Sequence, residues 1–178
     1  ESVTYYSGKI TSSVTTIDAE NGGTVTLQSG TVESTGNIAL YAGGNIKPKS
    51  SGDESEIHSS VVVNGGYVVA REFAISAQGR GASLSINNGV LVAQDNAVIG
   101  GNGSDDGNSY RGGTTMSITG GTMIGRIFSG GYIACGVYHP QHGQLNISGG
   151  TIVAKGGVGV LMRGGSANIT GGTIIAES

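Results

Sequence analysis

The feature that most constrains the fold is a short glycine-centred motif that recurs seven times along the chain. Its clearest copies read Ile-Ser-Gly-Gly-Thr-Ile-Val-Ala at 147–154 and Ile-Thr-Gly-Gly-Thr-Ile-Ile-Ala at 169–176. The anchoring glycines are Gly8, Gly30, Gly66, Gly89, Gly121, Gly150 and Gly172. Successive anchors are 22, 36, 23, 32, 29 and 22 residues apart, so the base period is 22–23 residues and three repeats carry insertions. A period of this length is typical of a solenoid in which each repeat forms one coil.

Aligning the repeats on the glycine produces columns of similar residues. The columns five before, three before and two after the glycine are apolar in nearly every copy, and the column four after it is always small. The column three before the glycine comprises Tyr5, Leu27, Val63, Ile86, Ile118, Ile147 and Ile169. Mostly polar residues alternate with these columns, and an alternation of period two predicts short strands with one face inward.

A third strand-like run follows in most repeats, at 38–41, 74–77, 97–99, 132–135 and 158–162. Three short strands joined by glycine-rich corners would complete one coil. One coil cannot bury its apolar side alone, whereas stacked coils share a continuous core. The sequence therefore predicts an all-β chain, a parallel β-helix of about 6.5 coils of 22–23 residues with three short strands per coil, forming a single domain over 1–178.

Composition agrees with many short strands and excludes several other classes. The 35 glycines show no strict Gly-X-Y period, so collagen is excluded. A net charge of −3 gives no reason to expect a nucleic-acid partner. No apolar run approaches the roughly 18 residues that a membrane span needs. The single cysteine, Cys135, has no partner for an intrachain disulfide.

A coil of three strands and about 22 residues resembles the right-handed parallel β-helix superfamily, which includes pectate lyases, autotransporter passenger domains and many phage tailspikes. The resemblance covers nearly the whole chain and implies a right-handed solenoid, but this fold carries enzymes, adhesins and inert shafts alike. Neither end of the sequence shows a capping helix or a polar terminal repeat, which solenoids need for solubility. We therefore expect a segment of a longer chain, or a subunit whose ends meet partners.

The insertions, at 47–60, 102–112 and 139–143, fall at one corner of the predicted coil. Insertions on one side of a solenoid often form its binding face, although they are also tolerated wherever the core is undisturbed. If this edge binds carbohydrate, the aromatic and polar candidates are Tyr110, Arg111, Tyr138, His139, His142 and Arg163.

Evidence for metal binding is weak. Asp105 and Asp106 lie in a segment loosely similar to a calcium loop, but Gly113 stands where a bidentate Glu is required. A solvated Asn/Asp/Gly turn is the commoner structure for such a motif. We therefore expect no cofactor and no metal, with calcium as a weak hypothesis.

Evidence for catalysis is also weak. Cys135 with His139 and His142 suggests a nucleophile with its base or a soft-metal cluster, but a small buried hydrophobe is the normal role of a strand cysteine. The acidic residues are scattered over different columns, without the paired carboxylates of glycosidases. Arg71, Arg126 and Lys155 share one column, which fits either a ladder for an acidic glycan or a solvated strand end.

The column three after the glycine departs from the expected pattern. Alternation places it on the outer surface, yet its last five members are aliphatic: Val69, Val92, Ile124, Val153 and Ile175. Exposed strands tolerate single β-branched residues, but a monomer seldom leaves five of them in register in water. We expect this apolar stripe to be covered by another copy of the chain or by another part of its parent chain.

These patterns favour a non-catalytic extracellular module, structural or adhesive, on a bacterial cell or a virion surface. It would self-associate through the apolar stripe and bind carbohydrate at the loop-bearing edge. The alternative is a polysaccharide lyase or glycoside hydrolase of the β-helix superfamily.

Overall fold

A computed structural model of the chain describes residues 1–44, 57–101, 113–126, 135–139 and 143–177. These residues form twenty strands in three parallel sheets and contain no helix. The first six coils each contribute one strand to each sheet, and the seventh contributes to the first two sheets. The fold is therefore the predicted right-handed parallel β-helix. Much of the predicted insertions (47–56, 102–112 and 140–142) lies outside the described residues.

The first and second sheets each have seven strands, and the third has six. The first sheet comprises β1 (Ser2–Tyr5), β4 (Thr24–Leu27), β7 (Ser60–Val63), β10 (Ser83–Ile86), β13 (Thr115–Ile118), β16 (Gln144–Ile147) and β19 (Ser166–Ile169). The second comprises β2 (Lys9–Ser12), β5 (Thr31–Ser34), β8 (Tyr67–Ala70), β11 (Val90–Ala93), β14 (Thr122–Gly125), β17 (Thr151–Lys155) and β20 (Thr173–Glu177). The third comprises β3 (Ile17–Ala19), β6 (Leu40–Gly43), β9 (Ile75–Gln78), β12 (Ile99–Gly101), β15 (Cys135–His139) and β18 (Val158–Met162).

The strand register confirms the alignment on the glycines. Leu27 pairs with Val63, Val63 with Ile86, and Ile86 with Ile118, so the column three before the glycine is one continuous inward row. Its members from Leu27 to Ile147 are at most 1% exposed. Burial of each such side chain contributes about 1.5–3 kcal/mol to stability, so the shared core between coils is the main source of stability.

The third sheet was only partly predictable. Strand β3 was missed because its three residues, Ile-Asp-Ala, form no apolar run. Strand β15 begins at Cys135, the last residue of the predicted run at 132–135, and extends to His139. The pairing of Ile99 with Val137 sets this register, because it places Val137 in the inward row of the third sheet. Residues 132–134 lie outside the described part of the chain.

The connections from β6 to β7, from β12 to β13 and from β15 to β16 all link the third sheet to the first. The first two contain the insertions at 47–60 and 102–112. The third is only the four residues 140–143, because His139 belongs to β15, and the extra length of that coil falls between β14 and β15. The same corner is crossed in a few residues between β9 and β10 and between β18 and β19.

The corner between the first and second sheets depends on the seven anchoring glycines. All seven have positive φ, between 82° and 104°, a backbone conformation that residues with a Cβ adopt only with strain. The coils also approach closely here. A Cβ on Gly66 would lie 2.7 Å from the carbonyl oxygen of Gly30, and one on Gly121 would lie 2.9 Å from that of Gly89. The glycine therefore serves both the turn and the stacking of one coil on the next.

Two glycine-to-alanine variants separate these requirements. Gly22 and Gly121 share a φ of 82°, but a Cβ on Gly22 would meet nothing within 4 Å. We expect Gly22→Ala to cost about 1–2 kcal/mol for the left-handed conformation alone. Gly121→Ala should cost clearly more, because its methyl group would meet the backbone of the preceding coil. Urea unfolding of both variants measures the difference; equal losses would show that close stacking is not limiting.

Candidate functional site

Strand β15 carries two of the predicted ligand-binding residues, Tyr138 and His139. Tyr138 faces away from the main core but is only 2% exposed. It packs in a second apolar cluster on the outer side of the third sheet with Ala97, Cys135, Phe73 and Leu161. Gly100 gives this cluster its space, because a Cβ there would lie 2.4 Å from Cε1 of the Phe73 ring. The Tyr138 ring is therefore a packing element and not an open binding platform.

The structure brings Tyr138 together with Arg163, another predicted ligand-binding residue. An Nη1 hydrogen of Arg163 is donated to Oη of Tyr138 over 3.2 Å. Arg163 lies directly after β18 and is exposed. Of this pair, Arg163 is the exposed residue, and the buried phenol of Tyr138 accepts a hydrogen bond from its guanidinium.

His139 faces the interior, although the sequence suggested a loop residue. It continues an inward row that begins with Ala19, Ala42 and Ala77, and it is 0% exposed. Glycines provide its space: a Cβ on Gly165 would lie 2.9 Å from the His139 Nε2, and one on Gly143 would lie 3.3 Å from Cε1. Neither ring nitrogen has a hydrogen-bond partner of good geometry among the described residues, although backbone groups of Gly143 and Ser166 lie close enough to affect the pKa of the ring. The buried Oγ1 of Thr114 also has no partner there. An imidazole in these surroundings is held in its neutral form.

Cys135 and His139 do not form a catalytic pair. They stand four residues apart on one strand, which separates them by about 13 Å along the backbone. Burial raises the pKa of the Cys135 thiol to about 12, so the sulfur stays protonated at neutral pH and is a poor nucleophile.

Sequence reasoning missed a polar group on the outer side of the third sheet. Asp18 and Glu20 lie on either side of the inward Ala19, and Tyr41 pairs with Asp18 in the next coil. Burial, and then the charge of Glu20, raise the pKa of Asp18. Burial is also the main cause that raises the pKa of Tyr41, ahead of the two carboxylates. The Tyr41 hydroxyl faces Oε1 of Gln78 at 3.5 Å. The sequence feature that could have revealed this polar group is the Asp-Ala-Glu alternation at 18–20. It can be recognised only once β3 is identified as a strand.

The apolar stripe lies in register on the second sheet. Val69 pairs with Val92, Val92 with Ile124, Ile124 with Val153, and Val153 with Ile175. Val92 is 2% exposed, while Ile175 is 39% exposed and the other three are half-buried. A shallow depression of about 610 Å³ lies over Ile124 and Val153, bordered by Arg126, Lys155 and Glu177.

The basic column beside the stripe is partly neutralised. Arg71 Nε lies 2.7 Å from a carboxylate oxygen of Asp95, and Lys155 Nζ lies 3.9 Å from one of Glu177. Arg126 is exposed and forms no ion pair with the residues that the structure describes. This pairing reduces the free positive charge that a ladder for an acidic glycan would need.

The remaining sequence candidates, Tyr110, Arg111, His142, Asp105 and Asp106, lie outside the described residues. Within the described ranges no three His, Cys, Asp or Glu side chains are grouped so that they could hold a metal ion. The same ranges include no helix with the length and apolar character of a membrane span.

No family model, curated protein or solved structure matches the chain.

The surroundings of His139 predict an acid-sensitive stability. Burial lowers the pKa of His139, and backbone groups of Gly143 and Ser166 oppose this only in part. Below about pH 6.5, the usual value for histidine, the unfolded chain takes up a proton before the folded chain does. Stability should therefore fall with decreasing pH, by at most about 1.4 kcal/mol per pH unit, until the folded pKa is passed.

Urea unfolding between pH 7.5 and about 5 measures this slope in the wild type and in His139→Leu. The substitution should remove the part of the slope that His139 contributes. The same slope in the wild type and in His139→Leu would contradict the assignment.

Proposed function

We propose that this chain is a non-catalytic structural module of an extracellular protein that associates with itself through the outer face of its second sheet. The placement on a cell or virion surface follows the resemblance to β-helical adhesins and phage fibres. The observation that carries the proposal is the register of Val69, Val92, Ile124, Val153 and Ile175, which form one aliphatic row.

The length of this row supports an interface. At a strand spacing of about 4.8 Å, its five members extend over roughly 19 Å. The third sheet also carries apolar outer residues, but there Phe73, Tyr138 and Leu161 pack on one another. Along the second sheet, Ile124 and Val153 instead line an open depression. Covering it with a second copy would remove apolar surface from water, which is the main driving force of association.

Charged side chains border the row and would orient the partner. Ion pairs at Lys9–Glu33, Arg71–Asp95 and Lys155–Glu177 place both signs on the same face. A face with alternating charge can be complementary to itself, as a two-fold interface requires. Exposed pairs of this kind contribute little affinity, but they fix register and orientation.

A non-catalytic role is supported by the state of the candidate nucleophile and base, since Cys135 is protonated and His139 faces the interior. Carbohydrate binding at the loop-bearing corner remains part of the proposal, with Arg163 as its accessible described residue. The alternative, a polysaccharide-cleaving enzyme, has one observation in its favour: Asp18 and Glu20 lie on the same outer face, two residues apart.

Substitutions in the apolar row test the self-association. We expect the wild type to form oligomers and Ile124→Thr/Val153→Thr to weaken their association at least tenfold, because two hydroxyl groups would replace buried aliphatic atoms. Val92 is left unchanged because it is already buried within the single chain. Light scattering over a range of protein concentrations gives the mass.

The matched control is Val62→Thr, which changes a half-buried outward valine on the first sheet. It should leave the mass unchanged. A monomeric wild type at all concentrations, or an equal change in the control, would rule out the second sheet as the interface.

A further inference from the structure

The outer side of the first sheet has a composition unlike that of the other two. Two outward positions on each of its seven strands, and the residue directly after each strand, form three columns of side chains. We name this surface the hydroxyl face. Its members are Ser2, Thr4, Tyr6, Thr24, Thr26, Gln28, Ser60, Val62, Asn64, Ser83, Ser85, Asn87, Thr115, Ser117, Thr119, Gln144, Asn146, Ser148, Ser166, Asn168 and Thr170.

The hydroxyl face carries no charged residue, and only Val62 and Tyr6 depart from serine, threonine, asparagine and glutamine. Scarcity of charge in the chain does not explain this, because the outer side of the second sheet holds Lys9, Glu33, Arg71, Arg126, Lys155 and Glu177. The charged residues therefore lie on other faces of the solenoid.

The hydroxyl face is also open along its whole length. None of its members is buried, whereas Val92 on the second sheet and Ser76 and Tyr138 on the third are at most 2% exposed. Parallel pairing in register repeats each column at about 4.8 Å, and outward residues along one strand are about 6.6 Å apart. The result is a flat, regular array of hydroxyl and amide groups.

Part of this array is held in place by its own hydrogen bonds. Asn87 Nδ2 donates to Asn64 Oδ1 over 2.8 Å, and Thr119 Oγ1 donates to Asn87 Oδ1 over 2.9 Å. Ser60 Oγ donates to Thr24 Oγ1 over 3.0 Å. These contacts fix side chains before any ligand arrives, which lowers the entropy cost of binding.

The central column of the array keeps its hydrogen-bonding capacity. The hydroxyls of Thr26, Ser85 and Ser117 point outward in register, Thr26 and Ser85 on either side of Val62 and Ser117 beside Ser85. They make no side-chain hydrogen bond within the described part of the chain. A partner that covers them must replace the water they bind, since an unsatisfied buried hydroxyl costs about 1–3 kcal/mol.

We infer that the hydroxyl face binds a neutral polysaccharide. An extended sugar chain offers a hydroxyl-rich edge whose repeat is comparable to the spacing between coils, so it can exchange hydrogen bonds with successive strands. An apolar partner would leave the hydroxyls unsatisfied. A nucleic acid or an anionic glycan would find no cation to pair with its charges.

Tyr6 supplies a second feature that suits a sugar. Its side chain is 67% exposed and lies at the edge of the hydroxyl face, in the same column as Gln28. An exposed tyrosine ring offers an apolar surface with a polar tip, which suits stacking on the C–H face of a pyranose. This site is separate from both the self-association surface on the second sheet and the loop-bearing corner.

Co-sedimentation with insoluble polysaccharides tests the inference. The probes are cellulose, chitin and β-1,3-glucan as neutral surfaces and insoluble pectate as the anionic comparison. We expect the wild type to sediment with at least one neutral probe, and about 1 M sodium chloride to leave this binding unchanged, because no ion pairs are involved.

Two variants and a control locate the site. Thr26→Val/Ser85→Val/Ser117→Val should weaken binding at least tenfold, and valine suits a strand at all three positions. The single change Ser117→Glu should also weaken binding, without adding apolar surface. The control Thr31→Val/Thr122→Val/Thr151→Val makes matched changes on the second sheet and should bind as the wild type does.

Three results would overturn the inference: no binding to any neutral probe, binding to pectate alone that salt removes, or equal losses in the control. The oligomeric mass of Ser117→Glu, which adds no apolar surface, should equal that of the wild type. A failure to bind polysaccharide would therefore not count against the proposed self-association. A monomeric wild type would likewise not count against polysaccharide binding.

Discussion

Close stacking of one coil on the next, in strict register, is the constraint on which the rest of the structure depends. It is most demanding where the first sheet turns into the second. There each glycine adopts a positive φ, and from Gly30 onward each lies against the backbone of the preceding glycine corner. Because this corner fixes where each coil begins, an insertion elsewhere in a coil leaves the neighbouring columns aligned. The apolar core and the chemistry of every outer face follow from that alignment.

The register also gives the rod three outer faces of different chemistry. The first sheet presents hydroxyl and amide groups without charge, the second an aliphatic row bordered by ion pairs, and the third an apolar cluster around Tyr138 that is largely closed. Each face repeats one kind of side chain at the strand spacing. Such repetition suits extended partners, either another rod or a polymer, better than small ligands that need a concave pocket.

The sequence predicts the first two sheets residue by residue, because their strands lie a fixed distance from the anchoring glycine. It predicts the third sheet less well, since the variable corner before it hides the register of β15. The inward position of His139 and the burial of Tyr138 therefore could not be read from local pattern. The burial of Tyr138 arises where Phe73 packs over Gly100 from an adjacent coil, a contact between residues distant in sequence. The absence of charge on the hydroxyl face can be read from the aligned sequence columns. Its openness cannot, because the exposure of each side chain is known only from the structure.

The distance between Thr26 and Asn146 tests the register most directly. Four successive pairings join them, through Val62, Ser85 and Ser117, so their backbones should be about 19 Å apart despite 120 residues of separation in sequence. Pulsed electron spin resonance on labels at Thr26→Cys and Asn146→Cys, with Cys135→Ala to remove the native thiol, measures this distance. A narrow distribution near that value is expected. A broad distribution, or one displaced by a coil spacing of about 5 Å or more, would contradict the stacking from which all three faces follow.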